Sequence, residues 1–469
     1  MIFAKRLFRL SVRIIDELKL SRLTILLLGL FPYSGYVKRK FHTSLLDLYI
    51  ERQDIPRMLV LVDEVTSDDS EMPNFYWYAT IHHLAGDVAR ESDLVQRQQR
   101  QYDLSIKSKG IDRLGIRVFD SSVFRPIGHT ALLDVYVKAH KLGIIQCNQL
   151  VLLGGKENFA NPALVEYFDQ YVSRVVGDDP CRELRKFLNP IEERLSVVKC
   201  GPGGSEVLKL SQFVSKVNIE WEASGQKCLL RLSDMHRKEG YKILKSMGIP
   251  DDGWFCGLHV REGKDFLRDV RDADIQTYKL AIEEIRRRGG WIIRLGNSQM
   301  TRLSMDHVID LPYTIYNSDW FNVFVFAEGK FLIGTGSGPS VVPHCFGKGV
   351  AISNWGPLRE TACTSDDILL PKHYYLRSEN RMLTPEERFS ERFGYLESRS
   401  ALRNLGIEVL DNSPEELHEL VIEMLNKLDK HSTAECSMCP IQSKFNDLAL
   451  SSGIYPSRIA SVYRGLPVR

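Results

Sequence analysis

Four short, almost wholly apolar runs recur in the second half of this chain: "GWFCGLHVRE", "WIIRLGN", "KFLIGTGS" and "GVAISNW". Between them lie stretches of helical period, "DIQTYKLAIEEIRRRGG", "SDWFNVFVFAEGK" and the short "GPSVVPHCFGK". Strands that are apolar along their length are buried on both faces. Their alternation with helices predicts a parallel α/β sheet. Asp274 is placed to cap the first helix and Gly289 and Gly290 to end it, while Ser318 or Asp319 caps the second.

The same texture begins upstream, near residue 114. "IRVFDSS" and "QLVLLGG" read as strands, and "TALLDVYVKAHKLG" as a helix ending at Gly143. "NPALVEYFDQYVSRV" reads as one helix, with Asn161 as cap and Pro162 in its first position. A turn-rich break, "KCGPGGSE" at 199–206, follows. The expected fold class is therefore α/β, with two Rossmann-like domains over 114–245 and 246–430 facing each other across a cleft.

Flanking these are a helical hairpin region over 42–113, without a fixed-period repeat, and a tail over 431–469. His82 and His83 lie in the helical region. Adjacent positions do not share a helix face, so they do not form a metal pair.

Residues 1–41 are of a different kind. Lys5, Arg6, Arg9, Arg13, Lys19 and Arg22 are interleaved with apolar residues at helical spacing, and "LTILLLGLF" follows. That run is too short for the about 20 residues a membrane span needs, and no signal-peptide cleavage pattern is present. Two readings stand side by side: a basic amphipathic helix on an anionic membrane surface, or a helix packed on the protein's own core. A cytoplasmic protein, peripheral at the inner face of the membrane, fits the first.

A net charge of +2 over 469 residues gives no support for a nucleic-acid binder, which usually shows a strongly basic face. Nine scattered cysteines read as reduced thiols. The one close pair, Cys436 and Cys439, lacks the second pair of ligands that structural zinc requires. Asp272 and Asp274 form a D-A-D pattern of the metal-binding kind, but Asp274 is better explained as a helix cap.

Ligands in open parallel sheets bind beyond the carboxyl ends of the strands. The first strand of the second domain runs into His259, Arg261, Glu262 and Gly263. The next ends in Arg294, then Gly296 and Asn297. The third ends in the loop Thr335, Gly336, Ser337, Gly338, Pro339 and Ser340, and the fourth in Ser353 and Asn354. Guanidinium groups, bare backbone amides and a helix start on one edge predict an anion site. The glycine spacing matches neither a dinucleotide fingerprint nor a P-loop, and Thr335 and Pro339 exclude a nucleophile elbow.

The stretch from "LHVRE" through "GTGSGPSVVPHCFGKGVAISNW" resembles a family of bacterial glycosyltransferases associated with surface polysaccharide genes. More distantly it is similar to fucosyltransferases that carry a His-x-Arg motif and adopt the GT-B fold. The likeness covers about 250–390, counting "ILLPKHYY" and "LTPEERF", and more weakly 114–245, where "RPIGHTALLDVYV" resembles a Gly-His element. It implies a transferase with its nucleotide-sugar donor in the C-terminal half. His259 and Arg261 match His-x-Arg, Thr335 to Ser340 match the donor loop, and Asp319 matches the acid of an "SD" element. Two positions depart: Glu262 and Gly263 stand where the fucosyltransferases often carry Arg and Asp, and Asn322 where an acid is expected.

Transfer of a sugar requires charge stabilisation at the departing phosphate and a base for the acceptor's proton. Arg261, Arg294 and the Gly336–Gly338 amides are expected to supply the first without metal or cofactor, and Lys372 is a further phosphate contact. His129 is read either as base or acceptor contact, or as a helix-cap histidine. The acceptor would be a glycan or a lipid-linked sugar. Two other classes fit the same pattern: a nucleotide-sugar epimerase or NAD-linked enzyme, and a non-catalytic assembly factor.

Overall fold

The computed structural model describes residues 45, 49, 55–66, 81–82, 87–108, 115–188, 197–263, 269–360, 363–429 and 440–463. The expected basic segment over 1–41, His83, Cys436 and Cys439 lie outside them. The chain forms two compact units, 1–96 and 97–469. In the first, helix Ile55–Thr66 buries Met58 and Leu61. His82 is buried there, and its carbonyl accepts from the Asp87 N–H at 2.9 Å. Helix Val88–Ser108 carries the chain into the second unit.

The second unit opens with a small parallel sheet, β1 (Ile116–Asp120), β2 (Gln149–Leu153) and β3 (Ser173–Val175), in the order β1-β2-β3. The helix between β1 and β2, Ile127–Lys141, is buried along almost its whole length, so it packs on several sides at once. Thr130 Oγ1 donates to the Phe124 carbonyl at 2.7 Å and anchors its first turn. Gly143, at φ +73°, follows its C-terminus.

Two expectations need correction here. The long helix from Asn161 is only Pro162–Phe168, capped as expected by Asn161, and Ser173–Val175 forms β3. The segment "VSRV" has a ladder partner in Val151–Leu153, and its β-branched residues favour that pairing over another helical turn. The supposed break at 199–206 is the turn of an antiparallel hairpin, β4 (Val197–Cys200) with β5 (Glu206–Lys209). Three left-handed glycines, 201, 203 and 204, make that turn.

The second sheet contains β6 (Trp254–His259), β7 (Gly290–Arg294), β8 (Val308–Asp310), β9 (Leu332–Thr335), β10 (Val350–Trp355) and β11 (Ile368–Pro371). All neighbours are parallel, in the order β11-β10-β9-β6-β7-β8. The chain builds outward from β6 through β7 to β8, then crosses back to β9 and builds the other way. This is the doubly wound order, and its reversal lies between β6 and β9.

Beyond β11 the chain adds a small antiparallel sheet of β12 (His373–Leu376), β13 (Arg381–Met382) and β14 (Ile407–Leu410). Helix Pro414–Leu428 then packs on helix Lys279–Arg287. The expected C-terminal tail is in its described part a packed element. Helix Pro440–Ser451 sets Phe445 against Phe389, and the chain returns to helix Leu210–Ala223, where the Tyr455 N–H donates to Ser215 Oγ at 2.9 Å. No described helix is long and apolar enough to cross a membrane.

Candidate functional site

β6 and β9 are paired with His259 opposite Gly334, so the residues that follow each strand emerge side by side. His259 Nδ1 lies 3.0 Å from Ser337 Oγ, and the residue is 6% exposed. Burial, reinforced by the positive charges of Arg294 and Arg261, lowers its pKa to about 4. The imidazole is therefore neutral near pH 7. The Arg261 N–H donates to Thr335 Oγ1 at 3.0 Å, and Ser340 Oγ donates to the Thr335 carbonyl at 2.6 Å. His259, Arg261, Thr335, Ser337 and Ser340 thus form one hydrogen-bonded group at the reversal of strand order.

The Arg261 guanidinium donates from Nη1 to Asp272 Oδ1 at 2.7 Å. Burial raises the Asp272 carboxyl, against the lowering pull of Arg261. Lys372 lies behind this pair with its side chain fully buried. Its Nζ donates to the Asp272 carbonyl at 2.7 Å and pairs with Asp411. Burial lowers its pKa to about 8, although Asp411 acts in the opposite direction. Lys372 is thus an internal peg in this structure, since both contacts of its ammonium are protein oxygens.

The three alternating glycines each meet a close neighbour. A Cβ on Gly334 would come within 2.9 Å of the His259 carbonyl, and one on Gly336 within 2.2 Å of the Trp355 ring. Gly338 meets Gly128, at the start of helix Ile127–Lys141, where a Cβ on Gly128 would lie 2.4 Å from the Gly338 Cα. Bare backbone here allows close packing within the second sheet and between the two sheets' helices. A second contact joins the same edges: Asn161 Nδ2 donates to the Asp319 carbonyl at 2.9 Å, linking two helix N-termini. The carboxyl-end edges of the two sheets therefore face each other. His129 stands next to the glycine contact, half-buried, with Nδ1 2.8 Å from the Val123 carbonyl.

Other predicted residues are placed elsewhere. Arg294 is wholly buried between Asp310 Oδ1 at 2.9 Å and Glu262 Oε1 at 3.4 Å. Asp310 lies opposite it in the β7–β8 register, a pairing that the sequence alone does not reveal. Asn354 is fully buried at φ +52° and exchanges hydrogen bonds with Asn412: Asn354 N–H to Asn412 Oδ1 at 2.6 Å, Asn412 N–H to Asn354 Oδ1 at 2.8 Å. Its Nδ2 donates to the Tyr278 hydroxyl at 3.1 Å. Gly296, at φ +151°, turns the chain after β7, and Pro339 lies half-buried in the short helix after β9. Asp319 opens helix Asp319–Glu328 with an exposed side chain.

The residue missed at sequence level is Asp272. Its D-A-D pattern drew attention as a metal motif, yet its carboxylate holds Arg261, while Asp274 caps the next turn by accepting from the Gln276 N–H at 2.8 Å. Among the described residues no group of three His, Cys, Asp or Glu side chains is arranged to hold a metal.

Compared with known proteins, the sequence matches no protein-family model and no curated relative. Among solved structures, a glycosyl transferase family 9 protein from Veillonella parvula aligns at 10% identity, covering 68% of this chain and 98% of its own, with a TM-score of 0.37. The E. coli ADP-heptose LPS heptosyltransferase II aligns at 14% identity over 65% of this chain and 82% of its own, with a TM-score of 0.31. The dodecameric iron-containing heptosyltransferase TibC aligns at 11% identity over 68% and 76%, with a TM-score of 0.35.

Proposed function

We propose that this chain is a glycosyltransferase of the GT-B kind. It moves a sugar from a nucleotide-activated donor to a glycan or lipid-linked acceptor, in the building of a surface polysaccharide. One observation carries the reading: Arg261, neutral His259, Ser337 and Thr335 converge where strand order reverses between β6 and β9. Doubly wound sheets bind ligands at that reversal. A guanidinium there suits a phosphate oxygen.

In this reading the acceptor hydroxyl attacks the anomeric carbon of the donor, and the bond from that carbon to the phosphate oxygen breaks. The nucleotide leaves with the bonding electron pair on its phosphate oxygen, and Arg261 meets the charge that develops. The acceptor's proton passes to a base on the facing edge. We assign that role to His129, the residue next to Gly128 in the Gly128–Gly338 contact. His259, uncharged, offers a hydrogen bond to the donor rather than a second cation. No metal or cofactor is invoked. A membrane-surface role for residues 1–40 would bring a lipid-linked acceptor to a cytoplasmic enzyme.

An NAD-linked enzyme is less well supported. β6 ends in His259 and runs on into Val-Arg-Glu-Gly, without the glycine fingerprint, and β7 ends in Arg294, where a ribose-binding acid is needed.

The test is thermal unfolding of the whole chain with GDP, UDP, ADP, CMP and NAD. A ligand at a hundred times its Kd adds about 2.7 kcal/mol, a clear rise in Tm. Selective stabilisation by one nucleotide, lost in Arg261→Ala, is the expected result. A response to NAD alone, or to nothing, would overturn the assignment.

A further inference from the structure

This inference rests on the reading of Arg261 as the phosphate contact and concerns what aims it. Arg261 and Asp272 are each about four-fifths buried, with Nη1 2.7 Å from Oδ1. The Gly263 backbone also bonds the carboxylate. A Cβ at Gly263 would come within 2.7 Å of Asp272 Oδ1 and 3.1 Å of Arg261 Cζ, so the missing side chain makes room for the pair. Asp272 itself is fixed along its backbone. Its N–H donates to the Asp269 carbonyl at 3.1 Å, and the Ala273 N–H donates to the Arg261 carbonyl at 3.1 Å. Its own carbonyl accepts from the buried Lys372 Nζ at 2.7 Å. Arg399 braces the same turn: its N–H donates to Asp269 Oδ1 at 2.7 Å and its Nε to the Asp269 carbonyl at 3.2 Å.

We propose that Asp272 is the positioning residue of Arg261, and that Lys372 is the peg that fixes Asp272 in turn. A long flexible arginine loses rotamer freedom when it grips a phosphate, which costs affinity. A carboxylate that orders the guanidinium beforehand removes much of that cost, as supporting residues do in other built sites. The opposite role, a resident anion that the phosphate must expel, fits poorly with a backbone pinned at three points. It also makes the opposite prediction, tighter binding when the charge is removed.

The experiment is isothermal titration of the full chain with ADP, GDP, UDP and CDP. The nucleotide that binds is then measured against Arg261→Ala, Asp272→Asn and the double variant, each checked for folding by circular dichroism. Asp272→Asn is expected to weaken binding about tenfold. The double variant is expected to bind no more weakly than Arg261→Ala, because Asp272 acts only through Arg261. Should Asp272→Asn fail to fold, Asp272→Glu enters the same cycle with the same expected pattern. Unchanged or tighter binding in the Asp272 variant, or a loss that persists in full without Arg261, overturns the inference. Wild-type affinity in Arg261→Ala overturns the assigned site instead, and no binding by the wild type overturns both.

Discussion

Gly338 and Gly128 lie backbone against backbone, one at the start of the short helix after β9, the other at the start of helix Ile127–Lys141. The glycine-rich loop is therefore first a joint between the two sheets. Each helix start approaches the other because neither carries a side chain. A ligand held beyond β6 and β9 would sit next to this joint.

That joint predicts the effect of adding a methyl group. In Gly128→Ala the new Cβ meets a main-chain atom at 2.4 Å, which cannot rotate away. The expected loss is about 1–3 kcal/mol, the usual range for overpacking, read from urea midpoints. A change within experimental error would mean that the halves separate freely and that the contact holds nothing.

His259 supplies a pH prediction. Burial and the charges of Arg294 and Arg261 lower its pKa to about 4 in the folded chain, against the ordinary 6.5 of a solvated histidine. Between these values the unfolded chain binds the extra proton and the folded chain does not, so stability falls as pH falls from 6.5 to 4. The full loss is on the order of 3 kcal/mol, at 1.36 kcal/mol per pKa unit. His259→Gln should flatten the stability profile across that window relative to wild type. Parallel profiles would show that the ring is solvated or already charged.

Arg294 illustrates what the sequence can and cannot tell. Its position at the end of a buried parallel strand was legible, as were four of the six strands of the second sheet and the emergence of His259, Arg261 and Thr335 on one edge, whereas the short β8 and β11 were not legible as strands. These follow from local period and from the rule for strand ends. The partner of each side chain was not legible. Asp310 neutralises Arg294, Asn412 occupies Asn354, and Asp411 holds Lys372, across gaps of 16, 58 and 39 residues. Such pairs depend on sheet order and register. Strand order also depends on which way the chain turns after β8, and no local pattern records that.

Arg294→Met should therefore act on stability. Removing one partner of a buried ion pair leaves uncompensated charge and costs about 3–5 kcal/mol. Here Asp310 also accepts from the Leu303 N–H at 2.9 Å, and Glu262 from the Thr301 N–H at 2.9 Å. Those bonds keep some compensation, which places the expected loss near the lower end. If Arg294→Met kept its wild-type Tm but lost nucleotide binding, the guanidinium would be a ligand contact and not a structural one.

Asn354 separates backbone strain from side-chain bonding. It holds φ +52° while its amide bonds Asn412 and Tyr278. Asn354→Gly keeps the left-handed backbone at low cost but deletes those bonds, for an expected loss of about 1–3 kcal/mol. Asn354→Ala deletes the same bonds and adds a left-handed penalty of roughly 1–2 kcal/mol. Part of that difference is offset because glycine loses more chain entropy on folding. Alanine is still expected to be the less stable of the two in urea, with nucleotide binding intact in both once folded. An alanine variant as stable as the glycine one would remove the case for a fixed left-handed residue at the end of β10.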